Sequence, residues 1–169
     1  MIVDLDDHNI LKSLSKTNRK YPLAITSGCF DLLHSGHIFF LSQAKILVNE
    51  SNNKNKTRVK LLVITHNDKD ITEHKGPGRP VHNLNDRLEI LNALRMVDMV
   101  GVWNNWETIP EIVVSLEPEY LVTNLDSLSQ NNWKKNWRSV SKKIGAKLIG
   151  VGREEGTSST TDTIRKIKM

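Results

Sequence analysis

The stretch LAITSGCFDLLHSGH (residues 23–37) decides how the chain is read. Behind Pro22, the short apolar run LAIT (23–26) reads as a buried strand. Ser27 and Gly28 end it, the chain turns through 28–34, and a helix is predicted from Ser35, with His34 and His37 around its first turn. Free backbone N–H groups at a helix start form an anion site. Gly36 removes a side chain where a ligand would approach, and two imidazoles beside that spot can donate to phosphate oxygens. The competing readings are bland. A single histidine near a helix start is usually a structural hydrogen-bonder, and a His-x-x-His pair can also ligate zinc. No glutamate stands where an HExxH helix needs its general base, and the one cysteine, Cys29, lies five residues before His34, so zinc is disfavoured.

Outward from that stretch, strands and helices alternate. Apolar Leu5, Ile10, Leu11 and Leu14 predict an amphipathic helix within residues 4–19, capped by Asp4 or Asp6. Ile38, Leu41, Ala44 and Val48 share one face of the helix over 35–48. NESNNKNKTR (49–58) is entirely polar and reads as a flexible surface loop, while VKLLVIT (59–65) reads as a central parallel strand. HNDKDITEHKGPGRP (66–80), with its glycines, prolines and charges and no period, reads as a long functional or mobile loop. Asn83 is placed to cap a helix over 84–95. MVGVW (99–103), EYLVT (119–123) and KLIGV (147–151) are strand candidates, with helices over 108–116, 130–144 and 161–168, the last capped by Thr160 or Thr161. This alternation predicts a doubly wound, Rossmann-like α/β parallel sheet in a single domain over 1–169, with residues 1–20 as a helical extension. Ligands of such sheets sit beyond the carboxyl ends of the strands.

Composition sets the outer bounds. At 169 residues, 38% hydrophobic and 25% charged, the chain is long and apolar enough to bury a core and does not read as disordered. No apolar run reaches the ~18 residues of a membrane span. MIVDLDDHNI (1–10) lacks a basic segment followed by an apolar one, so a cytoplasmic location is expected. One cysteine excludes an internal disulfide. The net charge of +5 suits a polyphosphate ligand as well as a nucleic acid. The segment WKKNWRSVSKK (133–143) supports a rival reading as a catalytically idle nucleic-acid or nucleotide-binding module, but Trp133 and Trp137 stand four apart, which favours packing on the sheet.

Three separated motifs carry a resemblance over nearly the whole chain. GCFDLLHSGH (28–37) resembles the HxGH signature of the cytidylyltransferase-like nucleotidylyltransferases. Class I aminoacyl-tRNA synthetases carry a related tetrad, but this length leaves little room for an anticodon-binding domain. HKGPGRPVHNLNDRLEILNALRMVDMV (74–100) looks like the middle segment of the adenylyltransferase domain of bacterial ADP-heptose synthases, and EEGTSSTTDTIRKI (154–167) is similar to the closing Ser-Thr-Thr motif. Where the heptose enzymes have a Gly-Gly-Asp-like sequence, this chain has TNLDS (123–127), with Leu125 at a normally small position. GTSSTT carries one residue more than the usual spacing.

The resemblance implies transfer of a nucleotidyl group from a nucleoside triphosphate to a phosphorylated small molecule, with release of pyrophosphate. It implies catalytic roles for His34, His37 and Lys75, and nucleotide binding by Ser27, Gly28, Cys29, Phe30, Gly36, Arg87, Asn124, Asp126, Ser159, Thr160 and Thr161. Magnesium is expected with the triphosphate, which brings about four negative charges that need positive partners. Lys75, Arg79, Arg87 and Arg153 are the candidate cations. Asp31 reads as a turn former beside the site, with a magnesium contact as the less favoured alternative. A nucleophilic role for Cys29 is disfavoured, because a substrate phosphate is already an anion. ATP with a sugar 1-phosphate is the first choice, ahead of CTP with glycerol 3-phosphate and ATP with flavin mononucleotide. Family members often form dimers, so a homodimer is among the states the resemblance allows.

Overall fold

The computed structural model describes residues 1–53, 57–125, 135–153 and 160–167. Strands β1 (Ile2–Asp4), β2 (Leu23–Ser27), β3 (Lys60–His66), β4 (Met99–Trp103), β5 (Tyr120–Asn124) and β6 (Lys147–Val151) form one sheet in the order β1-β4-β3-β2-β5-β6. Every pairing is parallel. Helices α1 (His8–Leu14), α2 (Ser35–Ser51), α3 (Asp68–Lys75), α4 (Leu84–Asn92), α5 (Ile109–Leu116), α6 (Lys135–Ile144) and α7 (Thr160–Ile167) punctuate it. A parallel sheet needs crossovers, and helices on both faces bury its strands from two sides. That is why β2 and β3 are nearly unbroken apolar runs, with burial along all of β2 and all but the first residue of β3.

Two cores result. Ile25, Leu62 and Ile64 point to one face and pack with Leu14, Ile109, Leu116 and Trp137, from α1, α5 and α6. Ala24, Leu61 and Val63 point to the other and pack with Leu41, Ala44, Val48, Leu88 and Leu91, from α2 and α4. Trp137 is 3% exposed, so this member of the basic segment is a core residue; Trp133 lies outside the described residues.

The chain steps from β2 outward through β3 to β4, then crosses to the other side of β2 for β5 and β6. Strand order therefore reverses between β2 and β5, and the crevice beyond their carboxyl ends is where such folds bind ligands. The turn after β2 is the one that carries His34 and His37.

Three local expectations change. Residues 2–4 are strand, not helix: Val3 is buried between exposed neighbours, and the strand pairs with the edge of β4. The helix that follows is shorter than 4–19, and Asp7 caps it by accepting from Asn9 N–H. The 66–80 segment contains α3, capped by Asn67 with Asp68 and Asp70 in its first turn; its single buried residue, Ile71, left no period to detect. Of the polar 49–58 segment, residues 49–51 extend α2 and Asn52 is buried, its Nδ2 donating to Thr57 O at 2.8 Å. Asn49 Oδ1 accepts from Val59 N–H and leads the chain into β3.

The edge strand is held by close packing. A Cβ on Gly101 of β4 would stand 2.7 Å from Leu5 Cδ1. Gly101→Ala is expected to lower stability by about 1–3 kcal/mol, the usual range for overpacking, as measured by urea unfolding.

Candidate active site

His34 is the N-cap of α2, with extended backbone and no side-chain capping bond. Its carbonyl accepts from His37 N–H (2.9 Å) and Ile38 N–H (3.2 Å), which leaves the N–H groups of Ser35 and Gly36 without partners among the described residues. Because the cap residue is an imidazole that caps nothing, the helix start stays open to an anion. The rings of His34 and His37 stack with centroids 3.9 Å apart and 26° between planes. Nδ1 of each is buried without a hydrogen-bond partner.

This geometry sets their charge. Burial pushes His37 down to about 4, and neighbouring His34 adds to the effect. The Leu32 carbonyl, near the ring but not in a sound hydrogen bond to it, and the Asp31 carboxylate pull weakly the other way. Burial also lowers His34. Both rings are therefore neutral at pH 7 and act as hydrogen-bonding groups rather than cations.

Phe30 holds the turn together. It adopts a left-handed backbone (φ 45°), is 5% exposed, and its ring lies 5.4 Å from that of His37. The ring also covers Gly28, where a Cβ would meet it at 3.0 Å. Ser27 is buried at the end of β2 with Oγ unpartnered. Burial pushes the Cys29 thiol up, against the opposing charges of Lys75, Arg87 and Arg79. A raised thiol pKa gives Cys29 little thiolate at pH 7. Those same three cations surround the turn.

Their roles differ. Lys75 ends α3, exposed, and is followed by Gly76 in a left-handed conformation (φ 89°). Arg87 is fully buried, and protein acceptors engage all five of its N–H donors. Nε donates to His82 O (3.2 Å); Nη1 to Cys29 O (2.9 Å) and Thr65 Oγ1 (2.6 Å); Nη2 to His66 O (2.6 Å) and Asp68 Oδ1 (2.8 Å). Arg87 thus ties the exits of β2 and β3 to the start of α3 rather than presenting a free guanidinium to a ligand. Thr65 and Asp68, which receive it, carry no signal in sequence spacing.

Asp31 is equally committed. At 2% exposure its carboxylate accepts from Arg79 Nε (2.6 Å), Val81 N–H (2.8 Å) and His82 N–H (3.0 Å). It anchors the glycine-rich loop and is not free for a metal in this arrangement. Among the described residues no three His, Cys, Asp or Glu side chains group closely enough to hold one. Thr160 Oγ1, at the start of α7, donates to Leu32 O at 3.4 Å, so a second helix start adjoins the histidine turn. Asn124 ends β5 and is half-buried. Asp126, Ser159, Arg153's neighbour Glu154 and the side chain of Thr161 lie outside the described residues. A surface hollow of about 560 Å³, lined by Lys45, Asn49, Glu50, Arg58 and Arg95 among others, lies toward the other end of α2 and includes none of the expected site residues.

The neutral His37 makes a stability prediction. With a folded value of about 4 and an ordinary value near 6.5, the unfolded chain takes up this proton first as pH falls. The folded state therefore loses about 3 kcal/mol on going from pH 7 to pH 4 through this group. Urea unfolding of the wild type and His37→Gln at both pH values is expected to show a steeper acid loss in the wild type by about that amount; equal losses would contradict it.

With this geometry in view, likeness to known proteins is informative. A family model described as cytidylyltransferase-like matches residues 25–166. FAD synthase from Thermococcus sibiricus is 34% identical over 159 residues, 89% of this chain and 95% of that protein. Bifunctional protein HldE from Paramagnetospirillum magneticum is 31% identical over 152 residues, 86% of this chain but 27% of that protein, so the chain spans about a quarter of HldE. The crystal structure of a lipopolysaccharide core biosynthesis protein from Thermoplasma volcanium shares the fold, with TM-score 0.57 and 21% identity over 79% of this chain and 96% of that one. No described helix is long and apolar enough to cross a membrane. A family match over residues 25–166, a span that includes the histidine pair at the open helix start, makes this protein a member of the cytidylyltransferase-like nucleotidyltransferases.

Proposed function

We propose that the chain transfers an adenylyl group from ATP to a phosphorylated small molecule, with a sugar 1-phosphate as the first acceptor class, and releases pyrophosphate. The observation that carries this reading is the stacked His34–His37 pair beside the partnerless N–H groups of Ser35 and Gly36. An acceptor phosphate oxygen attacks the α-phosphorus, the bond from that phosphorus to the β-bridging oxygen breaks, and pyrophosphate leaves with that electron pair. No general base is needed, because the attacking group is already an anion. His34 and His37, neutral in the free protein, donate hydrogen bonds to the oxygens where charge gathers. The α2 start adds its amides, and Lys75 brings the positive charge from the end of α3. Thr160 adds a hydroxyl at the start of α7, and Ser159 and Thr161 keep the nucleotide-binding role that the resemblance implies. Magnesium would arrive with the triphosphate and neutralise part of its charge, while Asp31 stays engaged with Arg79 and backbone amides.

A likeness that runs along 95% of an FAD synthase favours flavin mononucleotide as the second acceptor reading. Glycerol 3-phosphate with CTP stands behind both. Pyrophosphate release across ATP and CTP, each with sugar 1-phosphates, flavin mononucleotide and glycerol 3-phosphate, tests the whole scheme; oligonucleotide binding that falls with salt, without any release, would favour the binding-module reading.

His37→Ala is expected to lower kcat by roughly 10²–10³, the scale of losing one transition-state donor. Normal kcat with only KM changed would remove the histidine role. Lys75→Ala is expected to weaken use of the triphosphate more than binding of the nucleoside monophosphate. Equal losses on both would place Lys75 away from the β- and γ-phosphates.

A further inference from the structure

Of the three cations near the histidine turn, Arg79 is the largely buried one whose terminal nitrogens have no partner among the described residues. Its side chain is only 16% exposed, yet its one hydrogen bond runs from Nε to Asp31 Oδ2, at 2.6 Å. Nη1 and Nη2 bond to no described residue. Arg87 differs in every respect, with all its donors engaged. Lys75 is exposed, and its Nζ bonds to no described residue.

The pinning of Arg79 is thorough. Its carbonyl accepts from Thr72 Oγ1 at 2.6 Å, which ties it to α3. Asp31, just before the histidine pair, holds Nε and also the N–H groups of Val81 and His82 that follow. A guanidinium has two forked edges, and a carboxylate on Nε leaves the Nη1–Nη2 edge for another oxyanion. The charge of Arg79 bears on Cys29, in the same turn. Nη1 and Nη2 are not enclosed, so the edge they form reaches solvent from a side chain pinned at Nε and stays open to an anion.

We propose that Arg79 is a substrate-binding residue that grips phosphate oxygens through its Nη1–Nη2 edge, and that Asp31 is the positioning residue that aims it. This rests on the nucleotidyl-transfer reading of the same turn. Phosphate oxygens come from two sources here, the triphosphate and the acceptor. Asp31 touches no substrate; it acts through Nε.

Titration calorimetry with inorganic pyrophosphate and with glycerol 3-phosphate tests this on the wild type, Arg79→Gln, Arg79→Lys and Asp31→Asn. Arg79→Gln is expected to weaken one of the two by 10- to 100-fold, and Arg79→Lys, which keeps the charge and loses the fork, by less. A loss on pyrophosphate assigns the grip to the triphosphate, and a loss confined to glycerol 3-phosphate assigns it to the acceptor. Asp31→Asn is expected to weaken the same ligand about 10-fold in the wild type but not in the Arg79→Gln background, while it lowers Tm in both. Equal affinities in the wild type and Arg79→Gln, including no binding by either, overturn the proposal. So does an Asp31→Asn effect that persists unchanged without Arg79. Because these are binding measurements, an inactive wild type that still loses affinity on Arg79→Gln would sink the catalytic reading and leave the grip standing.

Discussion

A fully buried guanidinium holds the histidine turn in place. The exits of parallel strands leave backbone carbonyls that no neighbouring strand completes, and Arg87 collects two such groups, Cys29 O and His66 O, together with His82 O from the loop before α4, Thr65 Oγ1 and Asp68. A buried charge is tolerable only when its donors are satisfied, so the five acceptors and the cation fix one another. The turn after β2, the end of β3, the start of α3 and the lead into α4 are thereby made one unit. Asp31 repeats the device with opposite sign, holding the loop over 79–82 to the same turn.

That frame divides the electrostatics into two kinds. Burial keeps both histidines neutral, with His34 adding to the effect on His37, which gives directed hydrogen bonds without a like-charge penalty. Positive charge is supplied from a separate segment, the end of α3 and the glycine-rich loop after it. Gly76 and Gly78 both sit at positive φ, a conformation that glycine adopts without strain. The loop is anchored at its far end by Asp31, while Lys75 at the end of α3 carries its charge on an exposed side chain.

The strands were legible because both of their faces are buried, which makes residues 23–25 and 61–64 apolar without interruption. The open start of α2 was legible because Gly28, His34 and His37 fall on a strand–turn–helix junction. β1 was not, since three residues with one buried side chain carry no period, and α3 was not, since Ile71 alone faces the core. Charge in a sequence also says nothing of burial. Arg87 and Lys75 read alike as cations near a ligand, yet one is enclosed and the other is in water. The difference lies in acceptors at positions 29, 65, 66, 68 and 82, which only the folded chain brings together.

On the proposed reading, the triphosphate is received by two neutral imidazoles and by two amides that have no partner among the described residues, at the start of α2. Nitrogen-detected NMR of the folded protein during titration with ATP and magnesium reads this directly, at the amides of Ser35 and Gly36 and at the ring nitrogens of His34 and His37. Saturable shifts at all four, with none at Lys45, Arg58 or Arg95 around the hollow at the other end of α2, are the predicted result. Shifts gathered around that hollow, with the α2 start silent, would contradict it.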